Sequence, residues 1–145
     1  MHEFLAKAAE RYELVLFSPS HQYYVDAVLD IIDPDRQLFK HIVPRKHCVK
    51  IDDMYIKPLK ALGRDIRRTV IVDNSSFCFC KELGNGIPIV PFFDNKNDLE
   101  LLMLLGYLEQ LESVSDVREF NKKHFKLHRY AKHKDLKHLY DDLFQ

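Results

Sequence analysis

The chain has 145 residues, 46% of them hydrophobic and 30% charged, the proportions of one folded domain rather than of a disordered or fibrous chain. Its 22 lysines and arginines are balanced by 22 aspartates and glutamates, so no overall charge draws it to nucleic acid. No apolar run approaches the roughly 20 residues of a membrane helix, and MHEFLAKAAE has no apolar stretch of the kind a secretory signal needs, so a cytoplasmic or nuclear setting is expected.

In chain order, HEFLAKAAER puts Phe4, Leu5, Ala8 and Ala9 on one face and predicts a short amphipathic helix. ELVLF (13–17) is a compact apolar run of strand character, cut by Pro19. Ser20 is placed to cap a helix in HQYYVDAVLDIID, where Tyr24, Val25, Val28, Leu29 and Ile32 recur at helical spacing until Pro34. LFKHIV (38–43) reads as a short strand. Pro58 suits the first turn of a helix that Gly63 would stop. TVIV (69–72) is β-branched throughout and has no polar face, which predicts a strand covered on both sides. After a Gly84-Asn85-Gly86 turn, IPIV (87–90) has similar character, and Asn97 or Asp98 is placed to cap the apolar helix DLELLMLLGYLEQLE. This alternation predicts an α/β fold with a mainly parallel sheet flanked by helices.

From Asn121 to Gln145 there is no proline or glycine, and His124, His128, His133 and His138 are half of the chain's 8 histidines. Lys122, Lys123, Lys126, Arg129, Lys132, Lys134 and Lys137 make this stretch basic, with Phe125, Leu136, Leu139 and Leu143 for apolar contact. We read it as a basic helical extension (121–145) beside a domain of residues 1–120. Its solvated face is the plain interpretation; an acidic regulatory partner or an anionic membrane surface is the functional one. The three cysteines, Cys48, Cys78 and Cys80, have no zinc spacing, and Cys78-Phe79-Cys80 is too tight for an ordinary disulfide, so reduced structural thiols are expected.

Ligands of parallel α/β sheets sit beyond the carboxyl ends of the strands. Ser18 follows ELVLF, Asp73 and Asn74 follow TVIV, and Lys57 precedes the short helix that feeds TVIV. A hydroxyl, an ammonium and a carboxylate–carboxamide pair suit a phosphate and its divalent cation. The lysine offers a compact positive charge, the serine a hydrogen bond, and the Asp-Asn pair hard oxygens for magnesium. Singly these residues are ordinary: a turn signal, a loop serine, a surface lysine. Their combination carries the argument.

That combination resembles the haloacid dehalogenase superfamily, in the branch of the small C-terminal-domain phosphatases and their Dullard/Nem-type relatives. HEFLAKAAERYELVLFSPSHQYY is similar to the segment whose strand ends in a Thr or Ser, here Ser18. YIKPLKALGRDIRRTVIVDNSS resembles the lysine and acidic motifs, here Lys57 and Asp73-Asn74. NGIPIVPFFDNKNDLELL is similar to the closing strand, Phe-Phe-Asp loop and last helix, and DVREFNKKHFKLHRY is nearest the Dullard-like C-terminus. The resemblance runs from His2 to about Tyr130. It implies a Rossmann-like fold and magnesium-dependent hydrolysis of protein phosphoserine or phosphothreonine through an aspartyl-phosphate. Ser18 and Lys57 would then hold the phosphoryl group as catalytic and phosphate-binding residues, with Asn74 and Asp73 as the metal side. A cytoplasmic or nuclear setting, with nuclear-envelope or endoplasmic-reticulum association, would fit such a domain.

One departure is large. The Asp-x-Asp motif on the family's first strand, which carries the nucleophile, is absent; Asp33-Pro34-Asp35 has the spacing but follows a helix. Asp52 and His21 also stand where relatives carry a basic and an apolar groove residue. Without its nucleophile the covalent route is closed. The missing strand lies, in relatives, between the strands at 13–17 and 69–72. Either the chain belongs to a longer protein, or these two strands pair directly, or a partner lends a strand. The chain as written is therefore expected to be inert. The competing reading is a non-catalytic protein-binding module of the same fold, as in the mitochondrial import receptor of this superfamily.

Overall fold

Two pairs of parallel strands, held apart from each other, organise the computed structural model, which describes residues 1–132. The first pair joins β1 (Leu14–Phe17) to β2 (Phe39–Val43), and α2 (Gln22–Ile32) connects them. The second joins β5 (Ile71–Asp73) to β6 (Gly86–Pro88), through 3-10 turns across Ser76–Asn85. Between the pairs, β3 (Val49–Ile51) and β4 (Met54–Ile56) form an antiparallel hairpin. Helices α1 (His2–Ala9), α3 (Glu100–Leu111) and α4 (Val117–Phe125) complete the layers. The fold is α/β, as the alternation predicts.

Apolar spacing explains what is buried. On α2, Val25 and Leu29 are one turn apart and both buried, while Tyr24 faces solvent. On α3, Leu104, Leu108 and Leu111 form the stripe that packs with Ile87 of β6 and Val117 of α4. The opposite face of the β5–β6 pair closes over Leu59, Ile71, Phe79 and Leu127. Each such side chain contributes roughly 1.5–3 kcal/mol on leaving water. Helix α1 docks on α3 through Leu5 and Ala8, and the Tyr12 hydroxyl donates to the Leu108 carbonyl at 2.6 Å.

Polar side chains fix the connections. Asp33, buried at the end of α2, accepts the backbone N–H groups of Gln37, Leu38 and Phe39, which turns the chain into β2. Asn85 is buried and donates to the carbonyls of Ile66 and Thr69, both at 2.7 Å, so the middle residue of the glycine-flanked turn pins the approach to β5. The Asn121 amide donates to the Gly86 carbonyl and its oxygen accepts the Tyr107 hydroxyl. The division expected at residue 120 thus falls inside α4, whose Asn121 and Phe125 pack into the body. Residues 133–145 of the expected extension lie outside the described residues.

Several expectations are corrected. Ser20 does not cap α2: the helix starts at Gln22 with His21 at its cap, and the Ser20 N–H is spent on the Ser18 hydroxyl oxygen. The turn after Pro58 is one 3-10 turn (Leu59–Leu62) with Pro58 at its cap; Gly63 stops it with φ +62°, where glycine is at ease. Asp98 accepts the Glu100 N–H at 3.0 Å, but the residue at the cap of α3 is Leu99. The β3–β4 hairpin has no glycine to announce it; Asp52 turns it with φ +51°. Val72, expected to be covered, is 37% exposed. The reason is that β5 has a partner on one side only among the described residues, where β1 does not pair with it.

Candidate functional site

The carboxyl end of β1 delivers Ser18. Its N–H donates to the Val43 carbonyl at 3.0 Å, carrying the β1–β2 pairing one residue past Phe17. Its hydroxyl oxygen accepts the Ser20 N–H at 3.1 Å, which leaves the hydroxyl proton available to an incoming oxygen.

Lys57 leaves β4 with its backbone N–H on the Cys78 carbonyl at 2.7 Å. Its ammonium meets Asp73 Oδ2 at 2.6 Å. Asp73 ends β5: its carbonyl accepts the Ile89 N–H, and Oδ1 accepts the Ser75 N–H at 2.9 Å in an Asx turn. Asn74 follows, exposed. Lys57 therefore reaches Asp73 directly. It also lines a cavity of about 540 Å³ together with Leu14 to Phe17 of β1. The structure thus joins Lys57 to Asp73; neither Ser18 nor Asn74 hydrogen-bonds to that pair, and Ser18 does not line the cavity.

Two thiols, Cys48 and Cys78, flank Lys57. Burial, before any other cause, pushes the Cys78 thiol up, and the nearby Asp73 carboxylate adds to it. Burial likewise raises Cys48, against the pull of Lys57. Both are free cysteines, and the upward shift favours the thiol form over the thiolate.

Sequence reasoning missed Arg45. Its guanidinium donates to the Pro19 carbonyl, approaches His21 Nε2 at 3.2 Å and lies 5.1 Å from the centroid of the Tyr55 ring. It thereby fastens the loop after Ser18 and adds a cation to that rim. The basic run Arg45-Lys46-His47 was the available signal.

Magnesium does not fit these residues by themselves. Both Asp73 oxygens are engaged, one by Lys57 and one by Ser75, and Asn74 adds one carboxamide oxygen. Among the described residues no group of three His, Cys, Asp or Glu side chains is gathered for a metal. An octahedral cation wants more hard oxygens than this.

Residues 1–118 match the family described as NLI interacting factor-like phosphatase. The chain belongs to this family. CTD small phosphatase-like protein 2 of Dictyostelium discoideum is 41% identical over 127 residues, covering 88% of this chain and 22% of that protein. The human carboxy-terminal domain RNA polymerase II polypeptide A small phosphatase 1 is 41% identical over 115 residues, covering 79% of this chain and 44% of that protein. The chain thus spans less than half the length of either relative. A solved structure of Fcp1, an essential RNA polymerase II CTD phosphatase, superposes with a TM-score of 0.55 at 20% identity, over 92% of this chain and 37% of that one. That likeness speaks for the fold alone, and it agrees with the α/β arrangement seen here. Membership of the NLI interacting factor-like phosphatases bears out the resemblance carried by residues 55–76. No helix among the described residues is long and apolar enough to cross a membrane.

Proposed function

We propose that this chain is the phosphate-holding part of a protein serine/threonine phosphatase domain that lacks its own nucleophile. The observation that supports it best is the enclosed Lys57–Asp73 pair at the end of β5, beside a cavity walled by the strand that ends in Ser18. Asp73 steers the Lys57 ammonium, and the lysine neutralises charge on phosphoryl oxygens. The Ser18 hydroxyl donates to another of those oxygens. Arg45 holds the loop on which Ser18 turns and offers a second cation to the phosphopeptide. Nothing in residues 1–132 supplies the carboxylate that would form the aspartyl-phosphate.

Magnesium belongs to this reading only for a fuller domain, with Asp73 and Asn74 giving part of the coordination sphere. The substrate class is a phosphoprotein, and within a cytoplasmic or nuclear setting the polymerase-directed name of the human relative supports the nuclear one. The basic extension (121–145) would meet an acidic regulatory or membrane-associated protein.

The test joins an upstream Asp-x-Asp strand to the chain and compares phosphoserine with phosphotyrosine peptides in magnesium buffer. Preference for phosphoserine, with Ser18→Ala and Lys57→Ala each lowering kcat/KM about 100-fold, supports the proposal. Unchanged kcat/KM in both variants contradicts it. Absence of turnover in the joined chain favours the non-catalytic binding module.

A further inference from the structure

A second pocket, of about 370 Å³, shares no lining residue with the cavity beside Lys57. Leu83 and Gly84 of the Ser76–Asn85 turns line it, with Arg118 and Lys122 of α4 and with Leu127 and His128 of the 3-10 turn Leu127–Lys132. Three nitrogen groups meet there. Arg118 gives Nε and Nη2 to Asp116 at 2.9 and 2.6 Å, and its Nη1 has no hydrogen bond among the described residues. Lys122 lies one turn along the same face of α4 and makes no ion pair among the described residues. His128 Nδ1 is buried without a hydrogen-bond partner, which is uncommon in a folded chain and marks a place for a bound group.

We propose that this pocket binds the phosphate dianion of a phosphorylated peptide side chain, at a site separate from Lys57 and Ser18. Like charges one helical turn apart repel, and an anion between Arg118 and Lys122 turns that repulsion into attraction for both. The guanidinium is held ready from two sides. Asp116 fixes its orientation, and the turn lies so close that a Cβ on Gly84 would stand 3.0 Å from Arg118 Cβ. His128 Nδ1 completes the set as a donor when it carries a proton. Leu83 and Leu127 give the apolar stem of the phosphorylated residue something to lie on.

Other occupants fit less well. A metal cation would face Arg118 and Lys122, and no group of three His, Cys, Asp or Glu side chains is gathered among the described residues. An anionic membrane surface wants a broad basic face, whereas this pocket also presents the Glu119 carboxylate. Glu119 opposes the proposed ligand too, and so gives the test its sign. Glu82 Oε2 is likewise buried without a partner, but Glu82 does not line the pocket. The inference goes beyond the phosphatase reading and holds whether or not any phosphoester is cleaved.

The test follows amide chemical shifts of the nitrogen-15-labelled 145-residue chain on titration with a Gly-Leu-phosphoserine-Leu-Gly peptide. Saturable shifts at residues 83–84, 118–122 and 127–128, absent with the unphosphorylated peptide, are the expected result. Lys122→Ala should weaken binding there about tenfold, and Glu119→Gln should strengthen it about threefold. Both side chains are on the surface of α4, and the spectra themselves report whether each variant is folded. Amides of Ser18 and Lys57 report the other phosphate site in the same spectra, so the two readings stand or fall separately. No saturable shifts, equal shifts with the unphosphorylated peptide, or unchanged affinity in both variants overturns the proposal. Inorganic phosphate binding as tightly as the peptide, or shifts with phosphatidylserine vesicles alone, overturns the assignment to a phosphopeptide.

Discussion

Lys57 Nζ lies 2.6 Å from Asp73 Oδ2, and the two side chains are only 12% and 8% exposed. The residues are 16 apart in sequence, on β4's exit and β5's end, so folding must bring them together. An enclosed ion pair of this kind contributes little beyond an apolar pair, but either charge left alone is costly. Lys57→Met and Asp73→Ala should each lower stability by about 3 kcal/mol. The double substitution should cost less than their sum by about 1–3 kcal/mol. Urea denaturation of the four chains measures this, and strict additivity would show that the pair is not coupled.

Asn85 is an exacting position. Its amide satisfies two carbonyls, of Ile66 and Thr69, and the residue is buried. Asn85→Ala orphans both, at about 1–3 kcal/mol for each group. A loss of about 2–6 kcal/mol in the urea midpoint analysis is expected. A loss under half a kcal/mol would mean that the two carbonyls find other partners.

Gly86 meets the fully buried ring of Phe79, and a Cβ there would overlap the ring's edge. Gly86→Ala should destabilise by about 1–3 kcal/mol or more through overpacking. Phe79→Leu in the same chain should recover part of that loss, because it withdraws the edge. Thermal melts of the single and double variants check the sign of the coupling.

Acid should weaken the fold through two carboxylates. At Asp116 the hydrogen bonds from Arg118, chiefly its side chain, hold the pKa at about 2, below the ordinary 3.8. At Asp33 burial pushes the carboxyl up, but the N–H groups of Phe39, Leu38 and Gln37 together leave it lowered. A carboxyl depressed in the folded chain stabilises above its unfolded pKa and loses that stability as pH falls through the folded value. Stability should therefore be flat with respect to these groups above about pH 5 and should fall from about pH 4 towards pH 2. Asp116→Asn and Asp33→Asn should each flatten that slope when urea midpoints are compared across the range. An unchanged slope in both would contradict the assignment.

Elements with a strong apolar period were legible in the residues alone. Leu5 and Ala8 on α1, Val25 and Leu29 on α2, and the Leu104–Leu108–Leu111 stripe all face inward as their spacing requires. The β3–β4 hairpin was not legible, because Asp52 bears the left-handed backbone that a glycine would have signalled. TVIV showed its strand character but not its lone edge, since β-branched residues report a covered environment and not which neighbour is missing. At the site, Asp73 was legible as a strand-end group and Lys57 as the lysine ahead of the turn that feeds its strand. Arg45 was hidden because its role depends on the Pro19 carbonyl, 26 residues away along the chain. The Lys57–Asp73 contact itself belongs to tertiary structure, and no spacing rule along the chain announces it.

The central claim is that this chain holds the phosphate-binding groups of a phosphatase and not its nucleophile. Turnover of p-nitrophenyl phosphate in magnesium tests it most directly, measured on the 145-residue chain, on the chain joined to an upstream Asp-x-Asp strand, and on the joined chain carrying Lys57→Ala. The account predicts turnover by the joined chain alone. Turnover by the 145-residue chain itself would contradict it, as would unchanged turnover in the joined chain carrying Lys57→Ala.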